Sequence, residues 1–361
     1  MRREFGMSIA LLMMCLGLFW SNPDFLGHSN AINTLRQISM LGIFAIGIAF
    51  VIVSGGIDLS IGSMIGLTGV LIAKISSPAQ GGMGHSLWIG IPIALGVAMT
   101  LGLIQGLLIT RLKLQPFIVT LGGMLLFRGM SQTIAEGGTL SLGGSPLLDL
   151  ANGGLATVGG EPLLPYPLLL FLGVIGIATY VLHFTVFGRY IYAIGGNRDA
   201  AEYSGIDVRR VETITYVVSA GLAGVAGVCY AAYIGQMSQQ VGIAYELYAI
   251  AAAVLGGVSL RGGEGTVLGV IIGSAIMRVI DNGINMFQLK YTDHEGIRRI
   301  WRLDPNWTFV IIGTVILVAV ILDQVVHLVQ AKQRIRKMGA AAATAPAAAT
   351  TPATNGGTPG P

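Results

Sequence analysis

Residues 53–62 read VSGGIDLSIG and place a carboxylate, Asp58, between two long apolar runs. Gly55 and Gly56 weaken any helix that enters this stretch, because glycine is a poor helix former. A helix that begins after the glycines leaves its first N–H groups without partners inside the helix. The side chains of Asp58 and Ser60 can accept hydrogen bonds from such groups. The stretch therefore predicts an interruption between two helices.

The four residues of this interruption, Gly55, Gly56, Asp58 and Ser60, are candidates for two roles. The commoner role is structural, with Asp58 or Ser60 capping the following helix. The second role is functional, because carboxylates inside a membrane are costly and often mark a solute path. One residue can fill both roles.

The composition predicts a membrane protein. The chain has 361 residues, of which 53% are hydrophobic and 11% are charged, whereas soluble domains carry about 25% charged residues. Most of the 53 glycines lie inside apolar runs, where small residues let helices pack closely in lipid. Cys15 and Cys229 have no disulfide or metal-site spacing, and a net charge of +4 requires no nucleic acid partner. We expect an all-α polytopic membrane protein.

Apolar segments of sufficient length predict about ten transmembrane helices. The first lies at the N-terminus, where a basic start and an apolar run also resemble a signal peptide, although no small-residue cleavage site follows. The run at 245–260 and the runs beside Asp58 have a pattern that a re-entrant segment would share. The other nine segments are 36–54, 60–76, 87–110, 116–135, 165–187, 212–234, 245–260, 266–284 and 307–326.

A second helix break is predicted at Gly256–Gly265. The stretch 255–275 echoes 54–73, since each has a glycine pair, a neighbouring Leu and Ser, and then a glycine-spaced apolar run. Paired broken helices in two halves of a chain mark transport sites. The alternative is that glycine pairs recur by chance in a glycine-rich sequence.

Basic residues place both termini in the cytoplasm, because cytoplasmic segments of membrane proteins are enriched in Lys and Arg. Trp20, Trp88, Trp301 and Trp307 then fall at outer ends, as an interfacial aromatic belt requires. The segment 289–305 disagrees, since it is basic and falls outside. The basic residues on the cytoplasmic side are Arg2, Arg3, Arg111, Lys113, Arg189, Arg198, Arg209, Arg210, Arg261, Lys332, Arg334, Arg336 and Lys337.

Two further segments complete the organisation. Residues 136–164 are glycine-rich and nearly uncharged, which is typical of an outer loop with a short surface helix. Residues 1–326 form the predicted transmembrane domain. Residues 327–361 are basic and then rich in Ala, Pro and Thr, so we expect a disordered cytoplasmic tail.

The longest informative cytoplasmic stretch is GRYIYAIGGNRDAAEYSGIDVRRVETITY, residues 188–216. A short helix is predicted here, with a cap at its start, two alanines inside it and a glycine stop. A helix held below the membrane suggests docking to a cytoplasmic partner, with Tyr203 as anchor and Ala200 and Ala201 allowing close approach; a solvated connector is the alternative. The candidate docking residues are Asn197, Asp199, Ala200, Ala201, Glu202, Tyr203 and Gly205.

Four blocks of the sequence, in order, resemble the permease subunits of ribose-type ABC sugar importers. They are GGIDLSIGS, QPFIVTLGGMLLFRG, GRYIYAIGGNRDAAEYSGIDV and YELYAIAAAVLGGVSLRGGEGTVLGVIIGSAIM. The resemblance covers about residues 35–330. Two features depart from the family pattern: the longer, charged outer connection near 285–306, and the Ala/Pro-rich tail.

The resemblance implies a multi-pass inner-membrane permease subunit that moves a monosaccharide or a similar small polar solute. It further implies a second permease subunit, identical or different, a cytoplasmic ATPase with two nucleotide-binding modules, and a periplasmic substrate-binding protein. ATP would bind to the ATPase. Independently of the resemblance, the sequence contains no GxxxxGK[ST] phosphate loop.

Two other classes of protein are alternatives to this interpretation. An ion-coupled secondary transporter would need acidic residues at the membrane midplane, and Asp58 is the one candidate. An intramembrane enzyme would need a catalytic constellation, and the sequence order suggests none. Among other polar residues, Arg278 and Asp281 are spaced to pair at an outer helix end. Glu246 is expected to cap a helix, and Arg128 to find Asp58 or a backbone carbonyl.

Overall fold

A computed structural model of the protein describes residues 2–78, 81–158, 161–292, 298–304, 307–318, 320–321 and 324–325. The predicted tail at 327–361 lies outside these residues. Residues 1–319 form one compact unit, and the structural findings concern this unit.

The unit is built from helices. They are α1 (Arg2–Ser21), α2 (His28–Val53), α3 (Ile61–Ser76), α4 (Leu87–Arg111), α5 (Pro116–Ile134), α6 (Leu147–Asn152), α7 (Tyr166–Phe184), α8 (Val186–Gly196), α9 (Arg198–Tyr203), α10 (Val208–Ile234), α11 (Tyr245–Leu255), α12 (Val267–Met286) and α13 (Trp307–Val318). Six short strands form antiparallel pairs: β1 (Leu140–Ser141) with β4 (Gln236–Met237), β2 (Gly154–Val158) with β3 (Glu161–Pro165), and β5 (Gln288–Thr292) with β6 (Arg298–Arg302).

The helices confirm the predicted all-α polytopic membrane class. Among the described residues, seven helices are long and apolar enough to cross a membrane: α1, α2, α4, α5, α7, α10 and α12. Three shorter apolar helices, α3, α11 and α13, occupy the other predicted segments. Both α3 and α11 lie next to helix breaks, and their length explains why the sequence pattern there was compatible with re-entrant segments.

Local signals set several helix ends. The Ser86 hydroxyl accepts a hydrogen bond from the Trp88 N–H at the start of α4. Proline stands in the first turn of α5 and α7, where its missing N–H costs nothing. Gly235 ends α10 in the left-handed conformation, which glycine adopts without steric cost.

The helices α2 and α10 form the centre of the bundle. Residues 40–53 of α2 are all buried, and α10 packs against α2, α3 and α4. The contact with α4 is close because Gly102 and Gly106 face the backbone of α10. The hydroxyls of Thr110 and Thr213 then meet across this contact at 2.9 Å. The arrangement agrees with the expectation that the glycines serve packing.

A buried arginine braces α12. The predicted pair forms, with Arg278 Nη1 donating to Asp281 Oδ2 at 3.2 Å. Arg278 also donates to the Tyr230 hydroxyl at 2.9 Å and lies 5.4 Å from the centre of the Tyr248 ring. Its side chain is only 8% exposed, so this is a brace inside the bundle, and the sequence interpretation missed the two tyrosines.

The segment 136–164 contains more order than a loop. It holds the predicted short helix as α6, followed by the β2–β3 hairpin, and β1 pairs with β4 beyond the end of α10. Since α6 packs against α10 and Leu148 lies beside Gly235, the segment sits at the C-terminal end of α10.

The helix α10 fixes the relative positions of two loops. The helix has 27 residues, which span about 40 Å at 1.5 Å per residue. The segment with α6 lies at its C-terminal end, and α9 joins its N-terminal end. The two segments therefore lie at opposite ends of a helix that is long enough to cross the membrane.

We expect reporter fusions at residues 150 and 200 to be on opposite sides of the membrane, with 150 outside and 200 in the cytoplasm. Alkaline phosphatase and green fluorescent protein fusions measure the two positions, each activity being specific for one side. Cytoplasmic signals at both positions would contradict the orientation.

Candidate permeation and coupling site

The first predicted break is present between α2 and α3. The helix α2 ends at Val53 and α3 begins at Ile61. Gly55 has a φ angle of +87°, which residues with a Cβ rarely adopt. Its N–H still donates to Ile52 O at 2.9 Å, and the Gly56 N–H donates to Val51 O at 2.9 Å. The chain thus leaves the helix in a tight turn with these backbone donors satisfied.

Asp58 holds the return of the chain into α3. The residue is 1% exposed. Its Oδ1 accepts from the Ser60 N–H at 2.9 Å and from the Ser60 hydroxyl at 2.7 Å, while Oδ2 accepts from the Ser219 hydroxyl at 2.8 Å. The carboxylate caps the turn that leads into α3 and ties it to α10.

Ser60 has a different role from the one expected. It occupies the cap position of α3, but its side chain accepts no capping hydrogen bond. Its hydroxyl donates to Asp58 and lies 3.2 Å from Gln105 Oε1 on α4. The sequence interpretation missed Gln105 and Ser219. Both are isolated polar residues in apolar segments, and that isolation is a signal that could have found them.

The second predicted break is also present. The helix α11 ends at Leu255, α12 begins at Val267, and the Thr266 hydroxyl caps α12 by accepting from the Gly269 N–H at 3.0 Å. The loop between them meets the first break directly, because the Gly263 N–H donates to Val53 O at 2.8 Å. The two breaks that echo each other in sequence are in contact in the fold.

A polar cavity of about 570 Å³ lies beside the meeting point. Its wall combines the first break, the connection between α4 and α5, the end of α8, and the start of α9 and α10. Three basic side chains and one acidic side chain contribute to it. The lining residues are Ser54, Gly55, Gly56, Ile109, Lys113, Leu114, Pro116, Ile194, Gly195, Gly196, Asn197, Arg198, Glu212, Tyr216 and Arg261.

The predicted short helix is α9, next to the cavity. Asn197 Oδ1 caps it by accepting from the Ala200 N–H at 2.9 Å, and Gly205 follows it with a φ angle of +84°. Tyr203 is 92% exposed, and Asp199, Ala200 and Glu202 are exposed as well.

Ala201 does not present itself to a partner. It is 4% exposed and packs into the core of its own chain, so the expectation that it allows close approach of a partner is wrong for this conformation. The reason is geometric: a short helix lying along a bundle must turn one side toward it, and Ala201 is on that side.

An ion pair fixes α9 to α10. Arg198 Nε donates to Glu212 Oε1 at 2.9 Å, and Arg198 also lies 3.8 Å from Glu202. The hydrogen bond to Glu212 raises the pKa of the Arg198 guanidinium above its ordinary value. The Arg198 guanidinium therefore keeps its charge throughout the physiological pH range.

Arg128 on α5 clamps the series of turns at residues 239–244, which precedes α11. Its guanidinium donates to the carbonyl oxygens of Gln239, Val241 and Gly242, the last two at 3.1 and 3.4 Å. Of the two partners considered, the backbone carbonyl is the one observed. Non-helical backbone at membrane depth requires such internal partners.

Glu246 lies in the first turn of α11, but it is not the capping residue that the sequence predicted, because Ala244 holds the cap position and no side chain caps the helix. Its carboxylate also faces α3, since a Cβ added to Gly62 would overlap Oε2. The N-terminal turns of α3 and α11 thus meet around a carboxylate, and helix N-termini stabilise negative charge.

The described elements define a polytopic helical membrane protein. The model of a family described as branched-chain amino acid transport system / permease component matches residues 30–321, and the chain belongs to this family. No solved structure matches the chain.

Several curated relatives are similar over most of their length. The ribose import permease protein of Haemophilus influenzae is 36% identical over 78% of this chain and 85% of its own length. The ribose import permease protein of Escherichia coli K12 is 34% identical over 87% of this chain and 92% of its own length. The galactose/methyl galactoside import permease protein of the same strain is 34% identical over 89% and 94%, respectively.

We expect Asp58→Leu to be far more damaging than Asp58→Asn. Asparagine keeps an acceptor for the Ser60 N–H and can donate to the Ser219 hydroxyl, whereas leucine leaves these buried groups unpaired at about 1–3 kcal/mol each. The yield of monodisperse protein in detergent and the apparent melting temperature measure the difference. Equal damage from both variants would show that the negative charge matters and would refute the capping role.

We expect Arg128→Lys to lower the apparent melting temperature clearly, because one ammonium cannot serve three carbonyl oxygens in this geometry. The loss should be about 1–3 kcal/mol for carbonyls left without a donor. The matched control is Arg111→Lys, since Arg111 is exposed at the end of α4 and should change little. Equal effects at the two positions would contradict the clamp.

Proposed function

We propose that this chain is the inner-membrane permease subunit of an ABC importer for a monosaccharide or a similar small, polyhydroxylated solute. The proposal is supported by the ribose and galactose import permeases that are 34–36% identical over most of their length. The observation in the fold that carries it is the position of α9. This helix exposes a large aromatic side chain beside the cavity where two broken helices meet.

The solute path would pass the two breaks. A cavity of about 570 Å³ falls within the range of small-molecule sites, about 300–1,000 Å³. Gly55 and Gly56 lie in its wall. Asp58 and Ser60 are 1% exposed, so in this conformation they hold the break in place and do not face the cavity directly.

The energy would come from a separate cytoplasmic ATPase with two nucleotide-binding modules. The absence of a GxxxxGK[ST] loop from the sequence agrees with a permease that binds no ATP itself. The exposed side chains of α9, above all Tyr203, would dock into that ATPase, since interfaces depend on a few buried aromatic anchors.

Two more partners follow from the class of importer. A second permease subunit, identical to this one or different, would complete the membrane domain. A periplasmic substrate-binding protein would deliver the solute at the end of the bundle opposite α9, near the segment that contains α6.

We expect Tyr203→Ala combined with Ala200→Arg to remove the ATPase from the permease without unfolding it, because both side chains are exposed. Co-purification of the ATPase and uptake of solute should fall together, by about tenfold or more for the loss of an aromatic anchor. The matched control is Tyr180→Ala, a tyrosine on α7 that is 63% exposed. Unchanged co-purification in the double variant would show that α9 is only a connector.

Reconstitution tests the function itself. Proteoliposomes with the permease, its ATPase and its binding protein should accumulate ribose or galactose in an ATP-dependent manner, while the permease alone should hydrolyse no ATP. Leucine serves as the competing solute, because the family description names branched-chain amino acid transport. Accumulation of leucine in place of a sugar would overturn the proposed solute class.

A further inference from the structure

The end of α8 lies in an unusually close contact with both helix breaks. A Cβ added at Gly195 would overlap Val53 O from the first break and Gly263 N from the second. The same backbone pair, Val53 O and Gly263 N, forms the 2.8 Å hydrogen bond that joins the breaks. Gly195 therefore sits on the hydrogen bond itself, where no side chain fits.

The contact continues on the side of the second break. A Cβ at Gly262 would lie 2.9 Å from Gly195 Cα and 3.0 Å from Gly55 Cα. Three backbone segments thus touch without side chains between them. We name this contact the glycine seam and define it by Gly55, Gly195, Gly262 and Gly263.

The helix α8 has a second tie to the seam. The Tyr192 hydroxyl, one turn before Gly195, donates to Gly265 O at 2.7 Å. This bond anchors α8 to the loop of the second break, so α8 and the loop should move together.

The seam is directly continuous with α9. Asn197, the cap of α9, follows Gly195 by two residues, and Gly195, Gly196 and Asn197 all line the cavity together with Gly55. The connection between Gly195 and α9 is too short to absorb a displacement of α9, so the displacement should reach the seam. Packed contacts of this kind have discrete arrangements and do not deform continuously.

We propose that Gly195 is a positioning residue that transmits a movement of α9 to both helix breaks. Through this contact, the movement of α9 opens or closes the inner end of the solute path at the seam. This proposal rests on the proposed function, which assigns ATPase docking to α9 and solute passage to the cavity beside the breaks. The seam itself rests on geometry alone, and the two can be tested separately.

The chain supplies a matched control in the next residue. A Cβ added at Gly196 would meet no heavy atom of the described residues within 4 Å. Gly195→Ala and Gly196→Ala therefore make the same chemical change in the same turn of the same helix. The first forces the seam apart and the second leaves it closed.

The first experiment uses the permease alone, in membrane vesicles. Cys15 and Cys229 are replaced by alanine, and Ser54→Cys serves as reporter, since Ser54 is 5% exposed and lies in the cavity wall. A membrane-impermeant maleimide should label this cysteine about fivefold or more faster in the Gly195→Ala variant, because labelling follows local opening. The Gly196→Ala variant should match its parent within about twofold. Equal labelling rates in the two alanine variants would overturn the seam.

The second experiment uses the assembled importer in proteoliposomes. The Gly195→Ala complex should retain its ATPase and hydrolyse ATP but lose about tenfold in uptake, within the range for residues that carry coupling. The uptake control is Gly176→Ala on α7, since Gly176 lies outside the cavity lining and a Cβ added there would meet no heavy atom of the described residues within 4 Å. This complex should keep its uptake. Uptake by Gly195→Ala equal to that of Gly176→Ala would overturn the transmission role.

Tyr192→Phe keeps the proposal testable if Gly195→Ala does not fold. This change removes one hydroxyl and its bond to Gly265 O but leaves the packed ring. It should raise Ser54→Cys labelling and lower uptake per ATP hydrolysed, by about threefold each; wild-type values for both would contradict the proposal. Failure of the wild-type importer to take up any sugar, with the labelling contrast present, would refute the proposed function while leaving the seam established.

Discussion

One backbone hydrogen bond, from the Gly263 N–H to Val53 O, joins the two helix breaks on which the bundle is organised. Val53 is the last residue of α2, so its carbonyl has lost its partner within the helix. A buried carbonyl at a helix end must find a partner elsewhere, because a buried backbone polar group without one costs free energy. The second break supplies it. The two interruptions therefore stabilise each other. Without the second break, the Val53 carbonyl would be buried without this hydrogen bond.

The same requirement explains the side chains around the breaks. Asp58 satisfies an N–H and two hydroxyls, and Arg128 satisfies three carbonyls of the turns before α11. Arg278 is held by Asp281 and Tyr230. Asp58 and Arg128 offset their cost of burial by satisfying backbone groups that lie outside the helices. Arg278 differs, because it lies inside α12 and is satisfied by side chains.

The sequence predicts a helix break or a short helix correctly where the residues that indicate it lie within the element itself. The residues that predict the first break, two glycines followed by Asp58, lie in the break itself. The same is true of the glycine-rich stretch 256–265 for the second break. The helix α9 is likewise predicted by its own cap and its glycine stop. Partners across the fold left no local trace: Ser219 is 161 residues from Asp58, and Arg128 meets carbonyls more than a hundred residues away. The side of α9 that faces the bundle was also beyond a local pattern, which is why Ala201 was misassigned while Tyr203 was recognised as the exposed anchor candidate.

At the end of the bundle that carries α9, the groups that would couple this helix to the solute path lie close together. Residues 195–198 contain the close contact with both breaks, part of the cavity wall and the first residue of α9. Arg198 binds Glu212 at the start of α10, and Ser219, two turns further along α10, binds Asp58. A push on α9 can reach the first break directly through Gly195 or along the rigid helix α10 through Asp58. Both routes consist of contacts between neighbouring groups, so the proposed coupling between α9 and the solute path would require no long-range pathway through the bundle.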